Sequence, residues 1–291
     1  MTPELDAAAI AATVIILAVL GSSATLWIRH IQRPRTEIIP DANTPVWSIG
    51  WVNFLLFICA EVVIVSLVQI SGAHFLKDSI SAHDGELTPW IAVAAVLLLQ
   101  VPLLAVFYFL RHFIPHEFGG RLNSQGYSLG AALKEAAPLI LMFLPIIWIV
   151  TFAWTKFLEI FQAIGLIEEI EPQELITLFQ GGGDPVAIGL LIIFAVILAP
   201  IVEELIFRGC IYRFLKSKMA FIAAQVLSGT VFAIMHGNLL SFVPLILVGV
   251  VLARVYEKSG NILVPMCFHA YFNAFSLLML FIVSQSNMLP Q

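Results

Sequence analysis

Apolar residues occur along this chain in long unbroken runs, unlike the alternation of a half-buried strand or the one-sided stripe of a surface helix. Eight runs stand out: Ala7–Ile28, Trp51–Ser71, Pro89–Leu110, Ala136–Thr155, Val186–Val202, Ala220–Met235, Leu239–Tyr256 and Ile262–Ser284. Most reach the ~20 residues an α-helix needs to cross a bilayer core. The fifth to seventh are shorter or hold polar groups, so their ends are less sharply marked. The pattern predicts an all-α, polytopic transmembrane bundle of about eight helices.

Composition agrees with that pattern. Of 291 residues, 60% are hydrophobic and 11% charged, with a mean hydropathy of +0.98. A soluble domain carries about 25% charged residues. The net charge of -5 comes without a basic tract, which argues against a nucleic-acid partner. Cys59, Cys210 and Cys267 sit apart in apolar runs with no C-x-x-C, and read as small buried hydrophobes. The opening Met1-Thr2-Pro3-Glu4 has no basic stretch, so the first run is expected to be a retained span.

Charge between the runs alternates in sign. Arg29, Arg33 and Arg35 follow the first run, and Lys77, Asp78, Asp84 and Glu86 the second. Arg111, Arg121 and Lys134 follow the third, and Glu159, Glu168, Glu169, Glu171, Glu174 and Asp184 the fourth. Arg208, Arg213, Lys216 and Lys218 come at or after the fifth, Arg254 and Lys258 at the end of the seventh. By the positive-inside bias the odd-to-even loops face the cytoplasm, which predicts a multi-pass protein of the cell membrane with both termini outside. Phe113–Ala136 reads as a structured connection and Gly181-Gly182-Gly183 as a flexible joint.

An ionisable residue inside an apolar span is costly and therefore a functional candidate. Glu203-Glu204 directly follows an apolar run. On a helix Glu204 lies at i,i+4 to Arg208 and can pair with it, while Glu203 points about 100° away and stays available as a base. Taken alone, the same residues also fit a helix end that reaches the interface with a solvated salt bridge. His236 closes the next run, and His269 and Asn273 share a face of the last. Glu203 and His236 are 33 residues apart. A hairpin turning near Lys216–Met219 would set both about 16 residues, ~24 Å, from the turn. Glu61, inside the second run, is expected to be a partnered structural group or to line a cavity.

Three motifs in order, Glu203-Glu204-x-x-x-Arg208, Phe232-x-x-x-His236 and His269-x-x-x-Asn273, resemble those of the CPBP family, which holds type II CAAX prenyl endopeptidases and bacteriocin-processing and immunity proteins. The resemblance spans roughly Leu190 to Leu280. It implies a catalytic core over 186–284, preceded by transmembrane helices and loops over 1–185. It further implies an intramembrane endopeptidase that hydrolyses lipidated (CAAX-type), prenylated or membrane-associated peptides. By family position Glu203 with His236 would activate a water. Asn273, aided by His269, would steady the oxyanion, and Glu204 and Arg208 would hold the site, with Phe232 packing beside it. No cofactor is expected on this reading. The alternative is a zinc site on Glu203, His236 and His269. A non-proteolytic scaffold or immunity protein, and a proton path through Glu61, Glu203 and His236, are the rival functions.

His116-Glu117-Phe118-Gly119-Gly120 starts like H-E-x-x-H but lacks the second histidine. Gly181-Gly182-Gly183-Asp184 has the G-x-G-D form of intramembrane aspartyl proteases, without a Tyr-Asp partner anywhere in the chain.

Overall fold

The computed structural model describes residues 6–32, 44–81, 88–167 and 183–285. Each of the eight apolar runs supplies most of one helix: α1 (Ala7–Gln32), α2 (Trp51–Ser81), α3 (Pro89–Phe113), α5 (Leu129–Ala163), α6 (Pro185–Lys216), α7 (Phe221–Met235), α8 (Phe242–Ser259) and α9 (Leu263–Ser284). A single turn, α4 (Pro115–Phe118), joins α3 to the connection before α5. Among the described residues there is no strand. The chain is an all-α, multi-pass helical bundle. Six of its helices (α1, α2, α3, α5, α6 and α9) are long and apolar enough to cross a membrane. Gly181, Gly182 and the acidic run Glu168–Glu174 lie outside the described residues, as do Arg33, Arg35, Asp84 and Glu86.

Local chemistry sets the helix starts. Thr88 Oγ1 accepts from the Ile91 amide, Ser128 Oγ from Ala131 and Asp184 Oδ1 from Val186. Each satisfies one of the amides that a first turn leaves unpaired. Pro89 and Pro185 occupy first-turn positions where the missing N–H costs nothing. Gly260 ends α8 at φ 63°, a left-handed conformation that glycine adopts without a Cβ penalty.

α2 packs on α3, α1 and α9 on α5, and α7 on α8. The last pair touches backbone to backbone. A Cβ on Gly249 would lie 2.5 Å from the Cα of Gly229, so only two glycines permit this crossing. One core, holding Trp47, Phe57, Phe214, Phe232 and Tyr256, surrounds the C-terminal half of α6. Another, holding Leu144, Leu252 and Phe268, lies between α5, α8 and α9. Large apolar side chains cover the outward faces of α1 and α2 (Leu17, Val52 and Phe75, for example), as lipid contact requires.

The helix carrying Glu203-Glu204 runs on to Lys216, where the hairpin turn was expected, so both carboxylates sit within a helix of 32 residues. Two expectations change. The run read as starting at Leu239 becomes helical at Phe242. Cys210 and Cys267 are buried, whereas Cys59 is on an exposed face of α2.

Candidate active site

α6 is not a regular helix. Phe194–Leu198 and Glu204–Tyr212 follow the wider π pattern, which occurs mostly as short bulges at functional sites. In the first stretch the Ala199 amide donates five residues back, to Phe194. The carbonyl of Ala195 would then need the amide of residue 200, and residue 200 is a proline. Asn273 Nδ2 from α9 meets that carbonyl at 2.7 Å. In the second stretch Ser228 Oγ meets the carbonyl of Phe207 at 3.3 Å, and Arg213 Nη1 that of Gly209 at 3.1 Å. Side chains from α7, α9 and the next turn of α6 thus bond carbonyls of the widened turns.

The wide turn carries the central charges. Arg208 Nη1 is 2.9 Å from Glu204 Oε1, and neither side chain is exposed at all. The pair is therefore not the solvated interfacial bridge that the sequence also allowed. Its desolvation is offset by further bonds. Arg208 Nη2 donates to the Gly249 carbonyl at 3.0 Å, a carbonyl brought near by the glycine crossing. The Arg208 guanidinium also lies 4.6 Å from the centroid of the Phe232 ring.

His269, buried on α9, stands between the two carboxylates. Its Nδ1 is 3.0 Å from Glu204 Oε1, and its Nε2 is 3.7 Å from Glu203 Oε2. A carboxylate can only accept, so Nδ1 carries the proton and, in the neutral ring, Nε2 presents a lone pair. Glu203 Oε2 is buried and has no hydrogen-bond partner, although its side chain is 16% exposed. Two acceptors therefore face each other across a gap too long for a direct bond.

Phe232 links this cluster to His236. Its ring centroid is 4.5 Å from that of His236 and 5.9 Å from that of His269. His236 caps the end of α7 with Nδ1 2.8 Å from the Phe232 carbonyl, and its side chain is exposed. Among the described residues it makes no hydrogen bond or ion pair with Glu203. The structure thus brings Glu203, Glu204, Arg208, Phe232 and His269 together, sets His236 beyond Phe232, and commits one amide hydrogen of Asn273 to Ala195.

A zinc ion, the alternative reading, would use Nε2 of both histidines, since His269 Nδ1 faces Glu204 and His236 Nδ1 a carbonyl; among the described residues no three His, Cys, Asp or Glu side chains are grouped closely enough to hold an ion.

Sequence reasoning missed a second buried node, at the end of α6. Glu257, 1% exposed, accepts from Tyr212 Oη at 2.7 Å, Thr44 Oγ1 at 2.5 Å and Lys216 Nζ at 2.7 Å. Arg213 Nε reaches the Pro45 carbonyl at 2.7 Å. These bonds fix the lower end of α6 to α8 and to the segment entering α2. The one available signal was a glutamate directly after the seventh run, between Tyr256 and Lys258. Glu117, of the incomplete H-E-x-x-H, accepts instead from Asn53 Nδ2 at 2.5 Å.

A comparison with known protein families falls on the segment that carries the site. Residues 185–275 match the family described as type II CAAX prenyl endopeptidase Rce1-like. A Bacillus subtilis (strain 168) protein described as "Putative membrane peptidase YdiL" is 34% identical over 93 residues. That stretch covers 32% of this chain and 38% of the relative. No solved structure matches the chain. The resemblance read from the three motifs is borne out over this segment.

Proposed function

We propose that the protein is an intramembrane endopeptidase of the cell membrane, with its termini outside the cytoplasm and its catalytic core in residues 186–284. Residues 1–185 supply the helices that enclose that core. The substrate class is a lipidated CAAX-type or other membrane-associated peptide.

The observation that carries this reading is the 3.7 Å gap between Glu203 Oε2 and His269 Nε2, both acceptors in a water-poor interior. A water between them donates one hydrogen to each and turns a lone pair outward. As that oxygen bonds to the scissile carbonyl carbon, Glu203 takes a proton from the water. It returns the proton to the departing amide nitrogen as the carbon–nitrogen bond breaks. The Glu204 carboxylate, neutralised by Arg208, keeps the His269 ring oriented. Asn273 has a second amide hydrogen beyond the one given to Ala195, and this hydrogen serves the oxyanion. The resemblance alone pairs Glu203 with His236; the 3.7 Å distance favours His269 as the nearer imidazole, and His236, exposed beyond Phe232, would meet the substrate.

The test is cleavage of a farnesylated CAAX peptide and a panel of membrane peptides by the purified wild type and Glu203→Ala, with and without a strong chelator. Cleavage that is lost only in the variant and is indifferent to chelator supports the reading. A chelator-sensitive activity restored by zinc overturns the metal-free mechanism. A Glu203→Ala protein that keeps full function in cells points to a scaffold.

A further inference from the structure

α9 packs against α6 along residues 194–203, where Asn273 Nδ2 meets the Ala195 carbonyl at 2.7 Å. Towards Pro185 the two helices separate. The separation begins at the first widened turn, Phe194–Leu198, just before Pro200, and both features bend helices. Between the separated stretches lies a groove of about 590 Å³. Ile188, Ile192 and Val196 of α6 line one wall, and Ala274, Leu277 and Phe281 of α9 the other. Among the described residues Ser284, at the end away from the site, is the one polar side chain that lines it. The Ser284 hydroxyl already donates to the Phe281 carbonyl at 2.8 Å.

The groove is continuous with the candidate site. Val196 and Ala274, at its near end, directly follow Ala195 and Asn273. From Ala274 it runs along α9 to Ser284, about 15 Å of helix. That is the reach of a hydrocarbon chain in one leaflet, half of a bilayer core about 30 Å thick. Ile193, Ile197 and Leu278, which also line the groove, are exposed, so within a membrane it opens sideways to lipid. Its far end is a poor seat for a lipid headgroup. Residues 185–202 and 263–284 hold no lysine or arginine. Asp184, whose carbonyl accepts from the Ile188 amide at 3.0 Å, brings a carboxylate to that end instead. The phosphate of a bilayer lipid therefore finds no cation there. A chain that enters from the site end, attached to a peptide, needs no headgroup partner.

We propose that this groove holds the single hydrocarbon chain of a lipidated substrate, attached beside Asn273 with its free end towards Ser284. The identity of the occupant rests on the peptidase reading. Lipid tails are as apolar as the groove, so seating the chain adds little affinity. It orients the peptide over the reacting groups, and orientation acts on kcat. Ile192 and Leu277, partway along, set the length of chain that fits.

Photocrosslinking reads occupancy without reference to cleavage. The full chain in nanodiscs is exposed to a peptide bearing one S-hexadecyl chain tipped with a diazirine, and separately to phosphatidylcholine with the same tipped chain. The lipopeptide is expected to label residues 188–193 and 277–284 several-fold more than the outward faces of α1 and α2, and to lose that label to excess unlabelled hexadecyl peptide. Labelling spread evenly over all outward faces overturns the groove as a site. Phosphatidylcholine labelling of the groove that the hexadecyl peptide does not displace assigns it to bilayer lipid and overturns the proposal too. Ile192→Trp and Leu277→Trp fill the groove from different helices, so a failure of one to fold leaves the other. Each is expected to cut groove labelling several-fold, to lower kcat several-fold on a hexadecyl peptide and to leave kcat unchanged on its S-octyl counterpart. Equal effects on the two peptides overturn the role in chain selection. If the wild type cleaves neither peptide, the peptidase reading fails on those substrates, and the crosslinking pattern still decides for or against the groove.

Discussion

His269 and Glu203 come from different helices, yet Nε2 of one faces Oε2 of the other across 3.7 Å. Their alignment depends on a third group, because Glu204 fixes the opposite nitrogen of the imidazole at 3.0 Å. The two neighbouring carboxylates have separate tasks. Oε1 of Glu204 is shared by Arg208 and His269, whereas Oε2 of Glu203 faces the imidazole without a direct bond.

The first prediction separates the two histidines. If His269 shares the water with Glu203, His269→Ala lowers kcat by about 10²–10⁴-fold, the usual worth of a positioned acid or base. His236→Ala, altering a residue at the mouth, falls mainly on KM. Steady-state kinetics on one peptide decides, and a kcat loss confined to His236→Ala would reverse the two roles.

The buried ion pair predicts a pattern in stability. Removing one partner leaves an uncompensated buried charge, so Glu204→Leu or Arg208→Leu alone is expected to cost about 3–5 kcal/mol. The double variant is expected to be more stable than either single one. Thermal unfolding in detergent measures all three. Equal, additive losses would show that the charges do not depend on each other.

A third prediction concerns Pro200. Replacing it with alanine supplies the N–H that the Ala195 carbonyl lacks, in competition with Asn273. Pro200→Ala is expected to hold or raise the unfolding temperature while lowering kcat, since Asn273 loses its anchor. Asn273→Ala is expected to cost about 1–3 kcal/mol through the unpaired carbonyl, and adding Pro200→Ala should recover part of that loss. An unfolding temperature for the double variant no higher than for Asn273→Ala would refute the link.

Asp184 supplies a pH test outside the spans. The Trp90 indole N–H donates to it at 2.9 Å. That bond and the Val186 amide hold the carboxyl below the ordinary aspartate range. A depressed folded value means that the contact's contribution is present above the unfolded carboxyl value and is lost as pH falls through the folded one. Trp90 fluorescence should therefore titrate with a midpoint below that of a free aspartate, and Asp184→Asn should abolish the transition. A midpoint at or above the free value counts against the contact.

Much of this architecture was legible in the chain. The eight apolar runs map onto helices because burial of apolar side chains in lipid leaves a backbone little alternative. The Glu204–Arg208 pair was legible because four residues bring side chains onto one face of a helix. The widened turns of α6 were not, since they depend on Asn273, Ser228 and Arg213, which arrive from elsewhere or from a later turn to satisfy free carbonyls. The imidazole nearest to Glu203 was hidden for a related reason. Counting residues from a turn set His236 at its depth, whereas side-chain direction set His269 beside it and left Phe232 in between. Glu61 was expected to be a partnered structural group or to line a cavity, and among the described residues its carboxylate has no hydrogen-bond partner.

Anyone engineering this site should set the helical wheel aside. Each widened turn of α6 takes up an extra residue, so a wheel drawn in 100° steps from Pro185 is out of phase before it reaches Glu203 and further out by Tyr212. Grafting Glu203-Glu204-x-x-x-Arg208 onto a regular scaffold helix would copy the letters and lose the angles. The transferable unit is larger: a proline that vacates a carbonyl, an asparagine on a crossing helix that fills it, and two glycines that let a third backbone come close enough to hold the arginine.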